Sequence, residues 1–206
     1  MSKTLSVIIL ILLTALLNSC ASVTPGDAAY KAGHFEQAAD LYRRGAEQGD
    51  KLAAFKLGEL YNFDLKDNKK AVVWYKRAYE LGHVPAAWFI GKIYESGEGD
   101  IERNYLEAEK WFRKGAEKGQ HYAMYDLAGL YAKQVIQPSD DIQGLMWLEA
   151  VTILAGNFKP QNEGTKFILN DPKEYRKTFQ NRMKKSDISK AQEMALSWVS
   201  KWENKN

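Results

Sequence analysis

Three histidines, a pair of adjacent aspartates, one glycine-rich stretch and a single cysteine are the places in this 206-residue chain where residue type and spacing suggest chemistry. The histidines, His34, His83 and His121, stand far apart in the chain. Zinc sites draw on short spacings such as H-x3-H, and none is present. His34 falls in the turn-like "AGHF", whereas His83 and His121 follow Gly82 and Gly119 by one and two residues. They read as solvated side chains, and no metal site is expected. Asp140-Asp141 in "QPSDDIQ" has the composition of a calcium site or a general acid/base pair. Ser and Asp also open helices, by accepting from free N–H groups and by complementing the helix dipole, and that is the expectation here. "SGEGD" at 96–100 lacks the preceding strand and the Gly-Lys-Ser/Thr of a phosphate cradle. No catalytic residue and no cofactor is expected, so the chain does not read as an enzyme.

Cys20 carries a different chemistry. The chain opens "MSKTLSVIILILLTALLNSCAS", in which Lys3 precedes a largely apolar run from Leu5 to Leu17. That run is shorter than the ~20 residues that span a hydrocarbon core as a helix. A short basic region, an apolar region and small residues make a secretory signal. Leu17-Asn18-Ser19-Cys20 resembles the bacterial lipobox, which implies lipidation of Cys20 after removal of residues 1–19. Acyl chains anchor strongly, at about 0.8 kcal/mol for each buried CH2. As the sole cysteine, Cys20 has no partner for a disulfide within the chain. Ala21 and Ser22 follow it where inner-membrane retention would favour Asp, so the resemblance implies an outer-membrane lipoprotein facing the periplasm. Residues 20–26 are expected to be a short linker close to the bilayer.

Composition is that of a globular chain, 45% hydrophobic and 27% charged, with a net charge of +3 that makes no case for nucleic acid. The balance shifts along the chain: residues 20–156 carry 17 Lys/Arg against 20 Asp/Glu, and 157–206 carry 11 against 6.

The elements that would position any site come from a repeat. "RRGAEQGD" at 43–50, "KRAYELGH" at 76–83 and "RKGAEKGQ" at 113–120 are versions of one segment. Alignment on Gly49, Gly82, Gly119 and, more loosely, Gly156 gives spacings of 33, 37 and 37 residues, the period of a solenoid. Each period holds two amphipathic helices. Ala53, Leu57, Leu60 and Tyr61 share a face of the first, and Ala71, Trp74, Tyr75, Ala78 and Tyr79 a face of the second. The terminal glycine suits a left-handed residue that stops the second helix. Gly58 and Gly91 cost about 1 kcal/mol of helix propensity relative to Ala, a penalty that close helix approach would offset.

These residues resemble the Sel-one-like repeat, a tetratricopeptide relative, with 83–119 matching best through Ile90-Gly91, Tyr94, "SGEGD" and "EAEKWFRKGAEKG". The resemblance implies an all-α, right-handed superhelical solenoid of antiparallel helix pairs. Its repeats would be 27–49, 50–82, 83–119 and 120–156, followed by a divergent 157–206. There, 157–172 is expected to be a loop or broken helix, and Ile188–Trp202 a capping helix started by Ser186 or Asp187.

A solenoid of this kind presents the first helix of each pair to partners. On the face opposite Ala53, Leu57 and Leu60 stand Phe55, Glu59 and Asn62; their equivalents are Trp88, Lys92 and Glu95, then Tyr125. This column is the expected partner-binding face, with Trp88 its foremost contact. The competing expectation is that the aromatics pack between repeats. The functional expectation is a membrane-anchored, non-catalytic interaction scaffold for an envelope or secreted protein. The alternatives are an immunity protein that neutralises a secreted lipase-type toxin and, more remotely, an envelope hydrolase. Cysteine pairs and S-x-x-K, which would suit β-lactam binding, are absent.

Overall fold

The computed structural model describes residues 24–157 and 172–205, and among them ten helices and no strand. The lipobox with Cys20 and most of the expected loop at 157–172 lie outside the described residues. The helices are α1 (Pro25–Lys31), α2 (Phe35–Glu47), α3 (Lys51–Glu59), α4 (Asn68–Glu80) and α5 (Ala86–Ser96). They continue with α6 (Tyr105–Ala116), α7 (His121–Ala132), α8 (Asp141–Asn157), α9 (Pro172–Arg182) and α10 (Lys185–Glu203). From α1 to α8 each helix packs on the next in the chain, the arrangement of a helical-repeat solenoid, and α10 lies along α8.

Side chains start most of the helices. Thr24 caps α1, Asp50 caps α3, Asp67 caps α4 and Asn104 caps α6, each accepting from backbone N–H groups of the first turn. Asp140 accepts from the N–H of Gln143 at 3.0 Å, so the acid pair does begin a helix. Gly49, Gly82 and Gly119 have φ of 90°, 90° and 81°, where a Cβ is strained, and each stands just past the end of a second helix. Gly156 does not follow them, because α8 runs through it to Asn157. Helix also begins earlier than expected at the N-terminus, at Pro25 within the 20–26 segment. Neither Ser186 nor Asp187 caps α10; Lys184 holds the N-cap position and both lie in the first turn.

The packing rests on a socket repeated in every pair. A Cβ on Gly58 would come 2.5 Å from the Tyr75 ring, one on Gly26 2.6 Å from the Tyr42 ring, and one on Gly91 would clash with the Phe112 ring. All three rings are buried, with Tyr75 and Phe112 fully so. The aromatic of the second helix thus lies on the bare backbone of the first. In the fourth pair Ala128 and Leu148 hold the equivalent positions, both fully buried. A second set of small residues joins successive pairs: a Cβ on Gly45 would stand 2.8 Å from that of Ala53, and one on Gly115 2.8 Å from that of Ala123.

A polar latch ties the first pair to α3. Tyr42 Oη donates to Asp27 Oδ1 at 2.8 Å, and Lys56 Nζ donates to both oxygens of Asp27 at 2.6 and 2.8 Å. Burial pushes the Asp27 carboxyl up, but hydrogen bonds from Lys56, Tyr42 and Thr24 outweigh it and hold the group at about 2.

Two results are expected. Gly91→Ala drives a methyl into the Phe112 ring and lowers stability by roughly 1–3 kcal/mol in urea denaturation. The Asp27 carboxyl is depressed on folding, so its contribution is present above the ordinary carboxylate range and lost as pH falls towards about 2. Melting temperature followed across that range falls less steeply in Asp27→Asn than in the parent, from a lower starting value.

Candidate interaction face

The first helices of successive pairs, α3, α5 and α7, are bridged side by side by the residues that the repeat register places on one column. Phe55 on α3 lies 5.5 Å from Tyr75, 4.4 Å from His83 and 5.1 Å from Phe89, edge-on to the last. Phe89 on α5 stacks on Tyr75 at 5.2 Å and receives Phe63 at 6.4 Å. Trp88 packs on Phe89 at 4.9 Å and on Tyr122 of α7 at 5.4 Å. An aromatic ladder therefore runs from Phe63 and Phe55, both on Phe89, through Trp88 to Tyr122 across three repeats. Phe55 and Trp88 bridge repeats and remain partly exposed.

Charges lie beside the ladder. Trp88 Nε1 donates to Asp126 Oδ2 at 2.7 Å, and Lys92 Nζ is 3.7 Å from the same oxygen. Lys92 also donates to Glu95 at 2.5 Å, and Lys133 lies 3.6 Å from the other Glu95 oxygen. Cations and carboxylates thus alternate from α5 to α7. Burial pushes the Asp126 carboxyl above the ordinary carboxylate range, against the opposing pull of Lys92 and Trp88. The network is built for α5–α7 adhesion as well as display.

Three expected residues stand differently. Tyr125 is 6% exposed and is covered by Tyr175 of α9 at 5.4 Å, so it belongs to the core rather than to an open column. Asn62 donates to Asn68 at 2.7 Å, and the buried Asn68 donates to the carbonyl of Glu98 at 2.8 Å; this chain holds the Gly97–Gly99 connection. Glu59 is half-buried and is pushed upward by burial, with Lys56 opposing. His83 and His121 are also partly buried, and burial pushes both below the ordinary imidazole value, which corrects the solvated reading. Among the described residues no group of three His, Cys, Asp or Glu side chains is placed to hold a metal ion.

The sequence reading missed Phe89 and Asp126, which follow Trp88 and Tyr125 by one residue. With Lys56 they form an aligned column that changes from cation to aromatic to anion, and that variation was the available signal. It also missed α9. Tyr175 lies over Gly129, Phe179 fills the space beside Gly144, and Arg176 forks onto Glu149 at 2.9 and 2.9 Å. Arg182 grips Asp141 at 2.7 and 3.1 Å and the carbonyl of Ala132 at 2.8 Å.

Helix pairs stacked by one repeated socket, with variable chemistry along one helix column, define a helical-repeat solenoid. The Sel1 repeat model matches residues 35–50, 51–83, 84–120 and 121–150, and the chain belongs to that family. Its fold is similar to that of a protective antigen of uropathogenic Escherichia coli strains displaying an SLR fold. That match has a TM-score of 0.64 and 25% identity, over 82% of this chain and 34% of that one. It is 33% identical over 92 residues to the ERAD-associated E3 ubiquitin-protein ligase component HRD3B of Arabidopsis thaliana, covering 43% of this chain and 14% of the relative. It is 29% identical over 117 residues to chitin synthase regulatory factor 3 of Schizosaccharomyces pombe, covering 54% and 13%. The chain therefore spans a small part of the length of these curated relatives.

Trp88 separates adhesion from display. Trp88→Phe keeps a ring against Phe89 and Tyr122 but removes the donor to Asp126, and equilibrium unfolding is expected to show a loss of about 1–3 kcal/mol. Trp88→Ala is expected to cost more than Trp88→Phe, since the ring contacts are lost as well.

Proposed function

We propose that this chain is a non-catalytic scaffold that binds an envelope or secreted protein along the column formed by α3, α5 and α7, while lipid on Cys20 holds it to the outer membrane, facing the periplasm. The observation that carries the reading is the ladder from Phe63 to Tyr122 with its flanking charges. A surface that carries aromatics flanked by charges across three repeats has the composition of an interface centre and rim. Support comes also from the relatives, one named as a component of a ubiquitin ligase and another as a regulatory factor of chitin synthase. For the address, the support is the sequence LNSC at 17–20 followed by Ala21 and Ser22.

A chemical crosslink from a photoreactive residue in place of Lys92 tests the face. The expected result is one discrete adduct from intact cells, absent when the residue is placed at Lys110 on α6. Equal adducts from both positions would remove the face from the proposal. Cys20→Ser is expected to abolish incorporation of labelled fatty acid, and retained labelling would overturn the anchor.

A further inference from the structure

Within the described residues, each first helix after α3 is flanked on both sides in the stack. α5 lies between α3 and α7, and α7 between α5 and α9. α3 is flanked on its outer side by α1, which has only 7 residues. The C-terminal part of α3 is therefore open on that side. It also departs from its equivalents: α3 passes into a π-helical turn at Leu60–Asp64, whereas α5 stops at the left-handed Gly97. π turns are rare and recur at functional sites. In this one Phe63 is 53% exposed, although Ser96 and Lys133 hold its place in the next repeats.

The opening is a cleft of about 220 Å3 walled by Tyr30 and Phe63 and edged by Asp27, Glu59 and Asp64. Tyr30, 40% exposed, donates to Asp64 Oδ2 at 3.1 Å and so fixes that carboxylate at the rim. Among the described residues Lys56 is the only cation lining the cleft, and both Asp27 oxygens already engage it. Glu59 makes no hydrogen bond or ion pair with any described residue. The cleft thus offers two ring faces and two carboxylates, Glu59 and Asp64, that form no ion pair with any described residue, Lys56 acting on Glu59 only from beyond ion-pair distance.

We propose that this open edge of α3 docks a short segment of a partner protein that carries an arginine beside an apolar side chain. The guanidinium would lie between the Tyr30 and Phe63 rings and donate to Glu59 and Asp64. A guanidinium is planar, weakly hydrated and able to stack on rings while donating in parallel to carboxylates, which an ammonium does less well. The volume admits one such head with its stem rather than a whole peptide. At the far end of the same stack, arginine–carboxylate pairs do close the edge within the chain: α9 lays Tyr175 on α7 and sets Arg176 and Arg182 on Glu149 and Asp141 of α8. The inference rests on the scaffold reading and adds the chemistry of the partner.

The test uses the full chain purified in detergent and titrates acetyl-Leu-Arg-amide while backbone amide resonances are followed. Acetyl-Leu-Lys-amide and acetyl-Leu-Gln-amide serve as controls. Saturable shifts confined to 27–31 and 59–66 are expected, with a Kd on the order of 1–10 mM for so small a probe. Glu59→Gln, whose amide keeps the shape, and Phe63→Ala are each expected to weaken it at least about fivefold, with the spectrum unchanged outside the neighbourhood of the substitution, which for Phe63 includes Phe89. Added salt is expected to weaken it as well. No saturable shift, shifts of equal size with the glutamine probe, or an unchanged Kd in Glu59→Gln would overturn the proposal. An equal response to the lysine probe would overturn the arginine assignment in favour of a general cation site. The crosslink from position 92 reads the scaffold proposal independently, so the cleft can fail while the face stands, and the reverse.

Discussion

A ring seated on a helix backbone that has no side chain at that point is the contact on which the rest of the structure depends. Tyr42 on Gly26, Tyr75 on Gly58 and Phe112 on Gly91 bring the two helices of each pair together at one place. Each socket gives up helix propensity at the glycine, about 1 kcal/mol, and gains the burial of a whole aromatic side chain, which is worth more. Because the socket recurs at one register, every pair has the same geometry, and the Gly45–Ala53 and Gly115–Ala123 contacts then set one pair on the next. The fourth pair keeps the fit with smaller parts: Ala128 stands for glycine and Leu148 for the ring.

This explains why so much of the fold was legible. Period, glycine stops and apolar faces are all consequences of one contact written repeatedly, so Gly49, Gly82, Gly119, Gly58 and Gly91 announced it. Gly26 was missed because the first pair is shortened and its consensus is broken. Gly156 misled because α8 continues, carried by a nearly unbroken apolar run from Leu145 to Ala155 that needs no stop. α9 was not legible at all. Its mean composition is polar, and it docks with only Tyr175, Phe179 and two arginines, a pattern that no helical period reveals.

The expected column is divided between bridging and covered positions, and the division has a physical cause. Helical periodicity separates a buried side from an exposed one, but in a stack of helices a third side exists, facing the neighbouring repeat. Phe55 and Trp88 lie there, partly exposed and partly bridging, and Tyr125 lies there fully covered by α9. Exposure at a given register is thus decided by what the next repeat supplies: Phe89 above Phe55, Asp126 above Trp88, Tyr175 above Tyr125.

The same logic separates what the solenoid conserves along its length from what it varies. The socket positions pair glycine or alanine on the first helix with an aromatic or Leu148 on the second, because a larger residue on the first would separate the helices. The column Lys56, Phe89, Asp126 is under no such constraint: each side chain meets a different neighbour and has a different chemistry. In the second repeat Lys56 closes on Asp27, which leaves Glu59 without an ion-pair partner among the described residues, at the edge where α1 is too short to cover it. In the fourth, Asp126 is satisfied by Trp88 and Lys92. One backbone register therefore yields a satisfied junction at one place and an unsatisfied carboxylate at another, and the difference comes from the length of the flanking helix. Where the repeat is incomplete, the residues that elsewhere bind the next helix have no helix to bind.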